Sequence, residues 1–143
     1  MIRQACIAIL FALSLVGADL PAVKSEPNLE KRSEKALENA NRAINDARAA
    51  YKLSDLKLFR ELLTEIKESL ELSYDSLEET GKAARRSPKY FKRAEMKMHD
   101  IARRLDVLAA EVDIAERPEV EAVKKIASDL EDKLLLEIMT KKH

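Results

Sequence analysis

Residues 91–115, FKRAEMKMHDIARRLDVLAAEVDIA, decide the fold. Phe91, Met98, Leu105 and Val112 stand seven apart, and Ala94, Ile101, Leu108 and Ala115 form a second row three places on. Every position of both rows is apolar, and every Asp, Glu, Lys and Arg of the stretch falls outside them. Two apolar rows at this spacing mark a helix that buries one stripe and leaves the rest in water. Just ahead, Ser87 is placed to cap it and Pro88 to fill its first position, where a missing N–H and a preset φ suit the helix.

Working toward the N-terminus, Gly81 is the expected left-handed terminator of a preceding helix. That helix carries Leu56, Leu63, Leu70 and Leu77 seven apart, with Phe59, Ile66 and Ser73 between them. Ser54 is its expected cap, and Asp55 suits the positive end of its dipole. Another helix is expected from a cap at Asn28 to about Lys52. Its apolar side, Leu37, Ala40, Ile44, Ala47 and Tyr51 with Ala36, Ala43 and Ala50 beside it, is mostly alanine and lets a neighbour approach closely. Toward the C-terminus, "DIAERP" breaks the pattern, and a last helix is expected from about Pro118 to Thr140 with Val120, Val123, Ala127, Leu130, Leu134 and Ile138 inward.

Four amphipathic helices of similar length, each roughly 35 to 40 Å long at about 1.5 Å per residue, predict an all-α, antiparallel up-down-up-down four-helix bundle over residues 28–143. The stretch ARAAYKLSDLKLFRELLTEIKESLEL, residues 47–72, also reads as one tetratricopeptide-like helical hairpin. A single such unit is visible, and solenoids bury a core by stacking several, so the hairpin reading is the alternative.

The first eighteen residues, MIRQACIAILFALSLVGA, have one cation at Arg3, an apolar run from Ala5 to Val16 and small residues before Asp19. This is the layout of a signal peptide cleaved near Ala18, with an uncleaved anchor as the alternative. Residues 19–27, DLPAVKSEP, hold two prolines and read as a flexible lead-in. The expected address is therefore the periplasm or the extracellular space. The sole cysteine, Cys6, lies in the signal segment, which leaves no thiol for a disulfide, redox motif or thiolate metal site beyond it.

Charge narrows the partners. The whole chain has 26 Lys plus Arg against 26 Asp plus Glu, and loss of Arg3 leaves it near neutral. A nucleic-acid binder carries a basic excess, so that class is disfavoured. With 36% charged residues, 4% aromatics and only two glycines, the composition leaves little room for the turns of a β-fold.

The motifs of catalysis and cofactor binding are not there. Paired Glu-x-x-His sets of a di-iron bundle do not occur, because Glu95 precedes His99 by four residues rather than three. Covalent haem needs Cys-x-x-Cys-His, and Met98 points into the core row while its neighbour His99 points away. Met96 and His99 share a surface stripe that suits copper by ligand type, but Lys92, Lys97 and Arg103 around them repel a cation. No glycine-rich phosphate loop exists. No cofactor, metal or catalytic residue is expected.

Two surfaces remain for partners. "RRSPKYFKR", residues 85–93, gathers five cations at a helix start, where acids are the rule. Arg85, Arg86, Ser87, Lys89, Lys92 and Arg93 form a candidate anion site for a phosphate, a lipid head group or an acidic segment. Lys141 and Lys142 are expected at the same end. Leu135, Leu136 and Met139 fall outside the best stripe of the last helix and form a candidate seam for a homodimer or a protein partner.

With "SPKYFKRAEMKMHDIARRLD" and "RPEVEAVKKI" in view, residues 87–106 and 117–126, the chain resembles small, uncharacterised exported bacterial helical-bundle proteins. The resemblance implies an exported bundle and assigns no residue a chemical role. The expected function is a non-enzymatic protein-interaction or structural module of the cell envelope, with anion or membrane-surface binding through residues 85–93 as the alternative.

Overall fold

The computed structural model describes residues 19–140. The expected signal segment, the uncleaved-anchor alternative and Lys141 and Lys142 lie outside the described residues. Five helices follow in order: α1 (Leu20–Lys24), α2 (Leu29–Lys52), α3 (Leu56–Glu79), α4 (Pro88–Glu111) and α5 (Arg117–Met139). Among the described residues there is no strand, and no helix is long and apolar enough to cross a membrane.

Local chemistry sets the boundaries. Asn28 Oδ1 accepts the Lys31 N–H at 2.9 Å and starts α2. Asp55, not Ser54, caps α3, its carboxylate taking the Leu58 N–H at 3.1 Å. Ser54 instead makes the tight reversal itself, with φ at 60°. Thr80 ends α3 and Gly81 follows at φ 67°, a left-handed conformation that costs glycine nothing extra. Ser87 precedes Pro88 as expected, but its side chain makes no capping bond. The last helix starts one residue earlier than Pro118, at Arg117, whose guanidinium reaches back to the carbonyls of Ala109 and Val112.

The long helices form two hairpins, α2 with α3 and α4 with α5. Between hairpins, α2 lies beside α4 and α3 beside α5. The cross-links are ordered in the same sense along both chains: Arg93 to Glu34, Arg104 to Asn41, Arg48 to Glu111 and Tyr51 to Asp113 for α2 and α4. Arg60 to Glu119 and Tyr74 to Glu137 do the same for α3 and α5. The chain reverses at each connection, yet neighbours from different hairpins run parallel. Consecutive α3 and α4 touch little, whereas a sequential up-down-up-down bundle would make them close neighbours.

A repeat underlies this stacking. Leu37 and Met98, Ala40 and Ile101, Ile44 and Leu105, Ala47 and Leu108 are buried pairs, each 61 residues apart. Phe59 and Val120, Leu62 and Val123, Ile66 and Ala127, Ser69 and Leu130, Ser73 and Leu134 continue at the same offset. The capping positions Asp55 and Glu116 also match. The second hairpin is thus a displaced echo of the first, with identities too changed to be seen as a repeat in the sequence.

Most expected core positions are buried, including Phe91, Met98, Leu105, Val112, Ala94, Ile101 and Leu108. Ala115 is not, because α4 has ended at Glu111 and the residue lies in the turn. Residues 19–27 differ from the flexible lead-in expected. Leu20–Lys24 form α1, with Leu20 and Val23 buried against the first hairpin, on α2 and α3. Asp19 pairs with Arg42, and Glu26 accepts from Lys35 at 2.6 Å, so a charged contact flanks each end of α1.

Candidate functional site

The α3–α4 connection and the start of α4 hold the first candidate group. Ala84 is buried at the tip, which presses the connection against the end of α5, where Ala83, Ala84, Arg85, Arg86, Glu137 and Thr140 line one hollow. Arg85 and Arg86 are exposed around it. Lys82 pairs with Glu30 at the start of α2. Arg93 is held by Glu34 at 3.0 Å, and Lys89 and Arg93 both lie over the ring of Tyr90, 5.4 and 5.7 Å from its centre. The cations at this helix start therefore have compensation that sequence spacing does not reveal, a carboxylate from α2 and an aromatic face. Among the described residues, Arg85, Arg86 and Lys92 have no ion pair.

The second candidate group adjoins the first. Leu135, Leu136 and Met139 are 42%, 66% and 71% exposed, on the last two turns of α5. The antiparallel pairs His99 to Glu131 and Asp106 to Lys124 set the register of α4 against α5 and bring Lys92 level with these turns. What the sequence offers as two surfaces lies toward one end of the molecule: the turns of α5 that expose Leu135, Leu136 and Met139 also carry Glu137 and Thr140, which share a hollow with Arg85 and Arg86. Tyr74, which donates its hydroxyl to Glu137 at 2.9 Å, supports this end of α5 from below. Burial, then Glu137 itself, raises the Tyr74 pKa and keeps the phenol protonated.

A polar seam runs between α2 and α3 that the heptad rows do not announce. Ser33 Oγ meets Ser73 Oγ at 2.8 Å, and Asn39 Nδ2 donates to Ser69 Oγ at 2.9 Å. Arg42 donates to Asn39 Oδ1. Among the described residues, Glu65, 8% exposed, leaves Oε2 without a partner, as does Ser76 at Oγ. Burial raises the Glu65 pKa, and nearby Arg42 opposes the shift. The heptad rows contain only Ser73; Ser69 and Ser76, four before and three after it, share its face and are the signal that would have marked the seam.

A third polar group joins α4 to α5. Glu131 accepts from His99 Nδ1 at 2.8 Å, with the imidazole as donor. Burial, and then Glu131, raises the pKa of Glu95 one turn away. Among the described residues no group of three or more His, Cys, Asp or Glu is arranged to hold a metal ion, and Met96 and His99 are both exposed. No family model matches the chain, and no curated protein and no solved structure is similar enough to count as a match.

Proposed function

We propose that this chain is an exported, non-enzymatic helical module, a four-helix bundle of two stacked hairpins, which binds a protein partner in the cell envelope through the end where α5 meets the α3–α4 connection. The supporting observation is the exposure of Leu135, Leu136 and Met139 on the same last turns of α5 whose Glu137 and Thr140 line a hollow with Arg85 and Arg86. Adjacent exposed apolar side chains rimmed by charge are the usual make-up of a recognition surface. The partner implied is acidic at its rim and apolar at its centre; a second copy of this chain fits less well, because the same basic rim would face itself.

Crosslinking and capture from the envelope fraction test this reading. Leu136→Asp with Met139→Asp should abolish recovery of the partner while leaving the monomer folded by circular dichroism. Unchanged recovery refutes it.

A second reading rests on Arg85, Arg86 and Lys92, which no carboxylate among the described residues pairs. Cations at the end of the molecule that also exposes leucine and methionine suit an anionic membrane surface. That reading expects salt-sensitive binding to anionic vesicles, lost on Arg85→Glu with Arg86→Glu. Equal binding to neutral vesicles refutes it.

A further inference from the structure

The outer groove of the first hairpin, between α2 and α3 and away from α4 and α5, is filled by α1. Its walls differ in charge: Lys35, Glu38 and Arg42 leave the α2 side with a basic excess, whereas Glu61, Glu65 and Glu68 make the α3 side acidic. The floor is apolar at Leu62 and takes the two buried side chains of α1, Leu20 and Val23, three residues apart. Asp19 faces the basic wall and pairs with Arg42, and Lys24 lies along the acidic one. The groove is thus shaped and charged for a helix with two apolar anchors, an acid on one flank and a base on the other.

α1 fills it poorly. Five residues are too few for a helix to persist without tertiary support, and two anchors give little. Hollows remain on both flanks, one lined by Leu20, Pro21, Leu58, Glu61 and Glu65, the other by Ala22, Val23, Asn39 and Arg42. Among the described residues, the nearly buried Glu65 keeps Oε2 without a hydrogen bond, and Pro21, which lines the same hollow, has no N–H to give.

We infer that α1 is a displaceable plug, and that the α2–α3 groove is the docking site for an amphipathic helix of a second polypeptide carrying an acid for Arg42, two apolar anchors three or four apart, and a basic residue that satisfies Glu65. This deepens the binding-module reading and rests on it, but at a different face from the end of α5. Recognition follows the helix-in-groove mode, with α1 as a weak internal competitor.

The probe is a labelled, helix-stapled peptide of residues 19–26 in two versions, native and with Pro21→Lys, titrated against the chain from Asp19 to His143 by fluorescence anisotropy. The Pro21→Lys peptide should bind at least tenfold more tightly than the native peptide, and Glu65→Gln in the protein should erase that preference. Equal binding of the two peptides, or a preference that survives Glu65→Gln, overturns the assignment. Leu20→Asp with Val23→Asp in the protein should release α1 and tighten peptide binding at least tenfold with helicity retained. A folded variant that binds no better overturns the plug; a variant that unfolds refutes it equally, because a plug must be dispensable to the fold. Leu136→Asp with Met139→Asp should leave peptide binding unchanged, so failure of the groove and failure of the α5 surface are read separately; a drop there would mean that the peptide sits elsewhere.

Discussion

The Tyr51 hydroxyl accepts the backbone N–H of Asp113 at 2.8 Å, so a residue ending α2 holds the turn between α4 and α5. The same ring packs on Phe59 with 5.4 Å between centres. Tyr51→Phe keeps the packing and removes the acceptor. The expected cost is about 1 kcal/mol, the ordinary net worth of one hydrogen bond. Faster exchange of the Asp113 amide, with the other α4 amides unchanged, should accompany a small fall in Tm.

The buried Ser33–Ser73 pair joins the two helices of the first hairpin. Removing one hydroxyl strands the other, so Ser33→Ala and Ser73→Ala should each cost about 1 to 2 kcal/mol, while the double variant should cost less than their sum. A double-mutant cycle by urea unfolding measures the difference. Strict additivity would mean that the two hydroxyls do not bond.

The two reversals at residues 54 and 81 call for opposite substitutions. Ser54 holds φ at 60°, where a side chain is unfavourable, and Gly81 holds 67° with open space around the site of a Cβ. Ser54→Gly should stabilise by about 0.5 to 1 kcal/mol, and Gly81→Ala should destabilise by about 1 kcal/mol through the backbone alone. Thermal unfolding of the two variants should move in opposite directions.

Glu65 and Glu95 both have pKa values raised above the ordinary carboxylate value of 4.5, first by burial. A group that binds its proton more tightly when folded adds stability in acid. Its contribution is complete below 4.5 and is lost as pH rises through the raised folded value. Glu65→Gln with Glu95→Gln should therefore flatten the decline in stability between pH 4.5 and neutrality. Glu26 works in the other direction: Lys35 lowers its pKa, and its contribution is present above 4.5 and lost as pH falls through the lowered folded value. Urea unfolding across this range checks the slope; a slope equal to that of the native chain contradicts the assignment.

The long helices were legible because their signals are local. Asn28, Gly81 and Pro88 act within one turn, and the leucine and methionine rows repeat over many turns. Ser54 and Asp55 are both capping residues, and spacing alone does not say which of them reverses the chain. α1 was missed because one apolar pair, Leu20 and Val23, is too short a pattern to stand out beside two prolines. Its burial comes from α2 and α3, not from its own sequence. The parallel stacking of hairpins was hidden for a similar reason: it is fixed by Arg104 on Asn41 and by Tyr74 on Glu137, contacts 63 residues apart. Of the candidate site, the residue identities were legible. The meeting of Glu137 and Thr140 with Arg85 and Arg86 was not, since it depends on how the α3–α4 connection folds back on α5.

The stacked arrangement also sets an order of assembly. Each hairpin closes through contacts between residues near in sequence, whereas the seam between hairpins joins partners some 59 to 63 residues apart. Local closure forfeits less chain entropy and comes first. A chain emerging N-terminus first completes α2 and α3, with α1 already laid across their outer side, before α4 exists. Its still bare inner side carries Phe59 and Ile66, bordered by Asn41, Asn45, Arg48 and Arg60, the polar side chains that later grip the second hairpin. The same residues that will fix the stack keep the unfinished chain wetted along its sticky edge.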